Sequence, residues 1–259
     1  MLEVLFVLLW NSGFIGAEYG LPYAGPFTLL FWRYLALTGL LAVVVTARGG
    51  SLRPRSWTRA AQSWLIGILA HGTWLACVLI ALDLEVPAGV VALVTALQPL
   101  ATGALSGRVV GERTSLAQWA GLVVGFAGVA VAVGSRAAFV EDVWWPAYLV
   151  PFGSVLGITA ASLFQRRIAL KSPHPHMPVL EDQLHQCAAT TVAMLPGALL
   201  LEGFATSWTL PFLTTMLWLI LAVSLGAYGL MWVLIERRDA TRVASLFYLS
   251  PPVTMVMAF

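Results

Sequence analysis

The sequence predicts an all-α membrane protein: nine transmembrane helices in this chain, forming two inverted five-helix repeats of which the second is cut short. Three observations carry that prediction: an apolar composition, nine separable apolar runs, and basic residues confined to alternate connections. Of the 259 residues, 59% are hydrophobic and 10% are charged, and the mean hydropathy is +0.86. A soluble body carries roughly a quarter charged residues, so this chain has too little polar surface to face water. Membrane lipids are therefore its expected surroundings, and a net charge of +2 offers no footprint for a nucleic acid.

A spanning helix takes about 20 apolar residues. Runs of that length fall at 2–19, 27–46, 62–82, 86–106, 115–133, 145–165, 180–201, 212–235 and 240–259. The first run lacks a basic leader and an A-x-A cleavage site, and Asn11 and Ser12 interrupt it, so it reads as a retained span and not a signal peptide. Breakers separate the runs: Pro22, Gly25 and Pro26; Gly49, Gly50 and Pro54; Pro87; Gly111 to Ser115; Pro146; then Pro173, Pro175 and Pro178. The fifth run opens on Ser115 with Gln118 three residues on, the pattern of a capping box. Cys77 and Cys187 both lie in apolar runs and read as buried free thiols.

Even-numbered connections hold Arg48, Arg53, Arg55 and Arg59; Arg108 and Arg113; Arg166, Arg167 and Lys171; and Arg237, Arg238 and Arg242. Odd-numbered ones hold only Arg136, beside the acids Glu18, Asp83, Glu85, Glu141, Asp142 and Glu202. Twelve basic residues against one predict that the N-terminus and the even connections are cytoplasmic. A multi-pass protein of the bacterial inner membrane is the expected setting.

The chain also repeats itself. Val86–Leu100 returns 152 positions later as Arg238–Pro252, with Ala88, Val91, Ala92, Leu97 and Pro99 matched by Ala240, Val243, Ala244, Leu249 and Pro251. Span four thus pairs with span nine, and Val78-Leu79-Ile80 of span three pairs with Val233-Leu234-Ile235 of span eight. A period of five helices is odd, so the copies enter the membrane from opposite sides, as in several secondary transporters. The predicted repeats are 1–134 and 143–259. Phe259 corresponds to position 107 of the first copy, so the register anticipates a tenth helix.

The residues Trp10 to Phe14, Pro26-Phe27-Thr28 with Arg33, Val90-Val91-Ala92-Leu93 through Gln98-Pro99, Gly111-Glu112-Arg113, and Gly121, Gly125 and Gly128 carry a family resemblance. The chain resembles the drug/metabolite transporter superfamily, specifically an EamA-type ten-helix permease. That resemblance implies export or uptake of small organic metabolites, such as amino acids or drug-like compounds, without ATP hydrolysis.

Polar groups at depth in hydrocarbon tend to face a cavity, which selects the candidate site residues. Arg33 lies about seven residues into span two, roughly 10 Å deep, and reads as cavity-lining or gating toward a carboxylate. His71 sits mid-span with Trp74 a turn along, a candidate for proton coupling or substrate contact. Trp10 and Asn11, Gln98, and Tyr228, Trp232, Tyr248 and Ser250 fall near the midplane by position and sketch a polar, aromatic pocket. Pro99 and Pro251-Pro252 interrupt spans four and nine as kinks or hinges. Glu112 reads as a loop-fixing or gate residue, not a catalytic one. Gly121, Gly125 and Gly128 offer a small-residue face for packing within one chain or between two chains of a homodimer.

His174, His176, Glu181, Asp182 and His185 lack a recognised ligand spacing and read as a solvated helix start; no metal and no cofactor are expected. No apolar run offers clustered acid and base groups, which argues against an enzyme. The only lysine, Lys171, lies in a connection, which excludes a retinal Schiff base. No ring of like charge suggests a channel, leaving a non-carrying scaffold or channel as the alternative to a small-molecule carrier working by alternating access.

Overall fold

The computed structural model describes residues 2–54, 56–134, 144–171, 178–250 and 253. A backbone surrounded by lipid must satisfy its own polar groups, and apolar runs of this length do so as helices. The described residues are mostly helical, with no strands and a single antiparallel bridge, Ala24 to Thr206. The helices are α1 (Leu2–Gly20), α2 (Pro26–Ala47), α3 (Trp57–Asp83), α4 (Ala88–Thr95), α5 (Gln98–Val109), α6 (Leu116–Gly134), α7 (Val150–Lys171), α8 (Val179–Leu200), α9 (Leu210–Arg237) and α10 (Ala240–Ser245).

Among the described residues, six stretches are long and apolar enough to cross a membrane: Leu2–Tyr23, Pro26–Ala47, Trp57–Asp83, Gly89–Val109, Trp145–Lys171 and Leu210–Arg237. The predicted fifth span contributes a shorter apolar stretch, Leu116–Val131. The seventh, α8, is 22 residues long but carries Glu181, Asp182, Gln183, His185 and Gln186 in its first turns. It packs along α2 and the first half of α3, which bury its polar first turns, while Val192, Leu195, Leu199 and Leu200 of its second half are exposed. Pro251, Pro252 and Phe259, like Arg55, Arg136, Glu141, Asp142, Pro173, His174, Pro175 and His176, lie outside the described residues.

Helix ends follow local chemistry. Pro26 occupies the first turn of α2, where no amide partner is needed. The Glu202 carboxylate accepts from the Phe27 and Thr28 amides at 3.0 and 2.6 Å, placing an anion at the positive helix end. Gly25 makes room for it, since a Cβ there would lie 2.5 Å from the Glu202 carboxyl carbon. At α6 the capping box is realised: the Ser115 amide donates to Gln118 Oε1 at 2.7 Å, and the Gln118 amide donates to Ser115 Oγ at 3.2 Å.

Two long helices contain π-helical stretches, at Ile68–Thr73 in α3 and at Leu219–Ala227 in α9. Each is approached closely by another helix through glycine. Gly13 and Gly16 of α1 rest on Val223 and Leu219 of α9; Gly157 of α7 rests on the Leu69 carbonyl and Thr73 of α3, and Gly153 on Cys77. Cys77 and Cys187 are both free, the second fully buried. On α6, Gly125 packs on the Tyr248 ring, whereas Gly121 and Gly128 have nothing within 4 Å.

The tightest approach joins α3 to α8. A Cβ on Gly67 would stand 2.3 Å from the Gln186 carbonyl oxygen, and Thr190 Oγ donates to the Gly67 carbonyl at 3.1 Å. Gly67→Ala is therefore expected to destabilise the fold by about 1–3 kcal/mol through overpacking. Gly39→Ala, at a position with nothing within 4 Å, is expected to leave stability unchanged. Thermal unfolding of the two detergent-purified variants checks the pair, and equal melting temperatures would refute the packing account.

Candidate functional site

The interior of the bundle holds a polar cluster that the surrounding helices seal from lipid. Arg33 is 2% exposed, and its Nε donates to Ser224 Oγ in the π-helical stretch of α9 at 2.7 Å. Gln183 of α8 donates to the Ser224 carbonyl. The guanidinium carbon sits 5.5 Å from the Tyr34 ring centre. Arg33 Nη2 is buried and has no partner, and no carboxylate among the described residues pairs with this arginine. A half-satisfied guanidinium is an expensive group in a low-dielectric interior, and its free edge is a standing acceptor site for an oxyanion.

That guanidinium borders a cavity of about 30 Å³, room for one or two water molecules. Trp10, Trp74 and Tyr228 wall it, and small and aliphatic residues of α1, α3 and α9, among them Gly13, Leu75 and Val223, make up the rest of the lining. Trp10 is the hub of the aromatic wall, its ring centre 5.1 Å from Trp74, 4.9 Å from Tyr228 and 4.9 Å from Phe247. The indole nitrogens of Trp10 and Trp232 are buried without partners. Unsatisfied donors in a protein interior are few and call for an explanation, and here two of them flank the same aromatic layer.

Behind the wall lies His71, fully buried within the π-helical turn of α3. Its Nδ1 is 3.1 Å from the Tyr34 hydroxyl, and its Nε2 is 3.1 Å from Gln186 Oε1. The His71 ring lies tilted against Tyr228 with ring centres 4.0 Å apart, and the Tyr228 hydroxyl donates to the Ala70 carbonyl at 3.0 Å. A π-helical turn redirects side chains relative to the rest of the helix, and such turns are frequent at functional sites.

Of the residues selected from sequence, Trp10, Arg33, Trp74 and Tyr228 line one cavity, and His71 and Trp232 stand directly behind it. Asn11 is buried, with its amide donating back to the Val7 carbonyl at 2.6 Å. Gln98, Tyr248 and Ser250 do not line the cavity; Gln98 donates to Thr102 one turn along its own helix. Pro99 stands in the first turn of α5, after the break at Ala96 and Leu97 that divides it from α4. Sequence reasoning did not single out Tyr34, Gln183, Gln186 or Ser224. The solvated reading of the α8 start is corrected: Glu181 and His185 are 4% and 8% exposed, because α2 and α3 bury the first turns of α8. Glu181 lies 3.4 Å from the Ser51 amide.

Glu112 anchors the opposite rim. Gly111 adopts φ +77°, a left-handed turn that glycine tolerates. Glu112 Oε1 receives Arg166 Nε at 2.5 Å, and its Oε2 accepts from the Ala240 amide at 3.3 Å. Arg166 Nη1 donates to the Glu236 carbonyl at 3.0 Å. One carboxylate thereby ties the α5–α6 turn, the end of α7 and the start of α10.

A multi-pass helical membrane protein with a polar, aromatic-walled cavity in its interior is the class that fold and site define. Residues 1–134 match the EamA-like transporter family, and the chain belongs to that family. It is similar to the uncharacterized transporter YvbV of Bacillus subtilis (strain 168), 28% identical, with 99% of this chain and 81% of that protein covered. It is also 25% identical to a probable amino-acid metabolite efflux pump of Salmonella typhimurium, over 99% of this chain and 84% of the other. A solved crystal structure, 22% identical, superposes with a TM-score of 0.80 over 99% of this chain and 85% of its own, which supports the fold. The chain is thus a transporter-family membrane protein.

Replacing Glu112 by Gln leaves Arg166 only the more distant Asp239 carboxylate, 3.7 Å away, and weakens the cap on α10. A loss of about 1.5–3 kcal/mol is expected, read as a lowered melting temperature in detergent, and wild-type stability in Glu112→Gln would refute the anchoring role.

Proposed function

We propose that the protein is a secondary carrier for small organic metabolites bearing a carboxylate, working by alternating access around the Arg33 cavity. The observation that carries this reading is the buried guanidinium with one unpaired nitrogen, bordering a cavity walled by Trp10, Trp74 and Tyr228. The arginine supplies charge for a carboxylate, and the aromatic wall supplies contact area for an apolar side group. The amino-acid efflux function in the name of the Salmonella relative points the same way. At about 30 Å³ the cavity has room for one or two waters, so it would widen to admit a metabolite.

The proposed framework is nine spans in two inverted repeats, 1–134 and 143–259, with the N-terminus in the cytoplasm of a bacterial inner-membrane protein. Paired irregularities support it. Shifted by the 155 positions that relate Val78 to Val233, the π-helical turn at Ile68–Thr73 falls on 223–228, overlapping the stretch at Leu219–Ala227. Shifted by 152 positions, the break at 96–97 falls on 248–249, inside the 3-10 turn Leu246–Leu249. The helix that opens each repeat packs on the π-helical stretch of the other, α1 on α9 and α7 on α3.

Arg33→Ala and His71→Ala are each expected to reduce flux about tenfold or more, since one removes a charge-assisted bond and the other its supporting wall. The measurement is an untargeted comparison of external metabolites from cells with wild-type protein, with each variant at matched expression, and without the protein. Wild-type flux from both variants would refute the site, and an identical metabolite profile with and without the protein would favour the scaffold reading.

A further inference from the structure

A second cavity lies at the end of the bundle where α3 and α8 begin and α7 and α9 end. It is lined by Arg59, Gln62 and Ser63 of α3, Gln165 and Ile168 of α7, Asp182 of α8 and Glu236 of α9. Asp182 is four residues into α8, about 5 Å from its start, and its two oxygens are engaged separately. Ser63 donates to Oδ1, and Gln186 Nε2 donates to Oδ2 at 2.9 Å. Both partners are neutral.

From Asp182 the bonds continue inward without a gap. Gln186, whose Nε2 is spent on Asp182, presents Oε1 to His71 Nε2 at 3.1 Å, and His71 Nδ1 meets the Tyr34 hydroxyl at 3.1 Å. His71 and Tyr34 are then in ring contact with Tyr228 and Arg33 respectively, two residues that line the first cavity. A carboxylate in one cavity is thereby joined to the wall of the other through a single file of side chains, all fully buried after the first.

The file has a direction. With Asp182 ionised, Gln186 donates to it and must offer its carbonyl to His71, so His71 carries its proton on Nε2 and accepts from Tyr34 at Nδ1. A proton added to Asp182 Oδ2 converts that carboxylate oxygen into a hydroxyl, with no other bond made or broken. The hydroxyl oxygen of a neutral acid is a poorer acceptor than a carboxylate oxygen, so the charge-assisted bond that holds Gln186 is lost and the His71–Tyr34 pair is released from its fixed orientation beside Arg33.

We propose that Asp182 is the proton-binding site of the carrier, reached from the second cavity, and that Gln186, His71 and Tyr34 transmit its protonation to the Arg33 cavity. The transported species would accordingly be driven by a proton gradient. The charged and titratable groups facing Asp182 are Arg59 from α3, Glu236 from α9, and Glu181 and His185 on α8 itself; α7 contributes the neutral Gln165. Gln186 is a positioning residue in this arrangement, acting through His71. The proposal rests on the carrier reading for its consequence, though not for the proton site itself.

Two measurements on the full-length chain test it. Infrared titration of the purified protein is expected to show a protonated-carboxyl stretch that Asp182→Asn removes, that Asp182→Glu shifts, and that Gln186→Leu retains. In proteoliposomes loaded with a mixture of the proteinogenic amino acids, an imposed pH gradient is expected to accelerate efflux about tenfold over exchange at equal pH. That ratio is expected to fall to about one in both Asp182→Asn and Gln186→Leu. A carboxyl band unaffected by Asp182→Asn, or a full gradient effect in that variant, would overturn the proposal. Absence of amino-acid movement in the wild type would count against the carrier reading, while the infrared titration would still decide the proton site.

Discussion

A guanidinium enclosed in an apolar bundle governs how the rest of the structure is arranged. A guanidinium is a delocalised cation that a bundle must accommodate with polar partners and aromatic faces, whereas a lysine or a carboxyl can adapt to burial by neutralising. The neighbouring helices therefore have to supply dipoles and π faces in place of water. Ser224 is delivered by the π-helical stretch of α9, Gln183 fixes the Ser224 carbonyl from α8, and Tyr34 offers its ring from the next position in α2. Two of these helices are then held by contacts that admit no side chain, α9 at Gly13 and Gly16 and α8 at Gly67. Small residues at helix crossings are the membrane's substitute for a hydrophobic driving force, because lipid tails are as apolar as leucine.

The helices are largely legible in the amino-acid sequence, because apolar length and breaker residues report on lipid contact. The predicted runs at 27–46 and 180–201 differ from α2 and α8 by a residue at each end. The capping box at Ser115 is equally legible, since it depends on two side chains three positions apart. The candidate site is half legible. Depth along a span is a one-dimensional coordinate and can be counted, which finds Trp10, Arg33, Trp74 and Tyr228; the direction a side chain faces is not contained in depth. Gln98, Tyr248 and Ser250 share that depth and do not line the cavity. Asp182, Gln186 and Thr190 stand four residues apart on one face of α8, a spacing that marks a polar stripe buried against neighbouring helices. In sequence that stripe is masked by the neighbouring acids, which suit a solvated helix start equally well. The π-helical turns have no local signature, because they arise where neighbouring helices press on the backbone. Tyr34 is hidden for a simpler reason: beside an arginine in a spanning helix, an aromatic residue looks like packing.

The closed ends of the bundle are built from the same element, a glutamate that caps a helix belonging to a distant stretch of chain. Glu202 takes the first amides of α2 across 174 positions, and Glu112 takes the first amide of α10 across 128. A capping bond is short-ranged, so each of these carboxylates fixes the start of its helix against a stretch of chain far away in sequence.

The π-helical turn in α3 has a meaning for sequence change. One residue added to an α-helix advances every later side chain by about 100° around the axis, and a π-helical turn absorbs such an addition locally. Residues before Ile68 thus keep a facing set by Gly67 against α8, and those after Thr73 keep one set by the Gly157 crossing. Losing a single residue between these anchors would restore an unbroken α-helix with Trp74 and Leu75 still facing Trp10, and would change only the interval 68–73 that carries His71. A one-residue change in this short interval therefore re-aims His71 and its immediate neighbours while leaving the lining residues of α3 in place, a local adjustment that point substitutions do not offer.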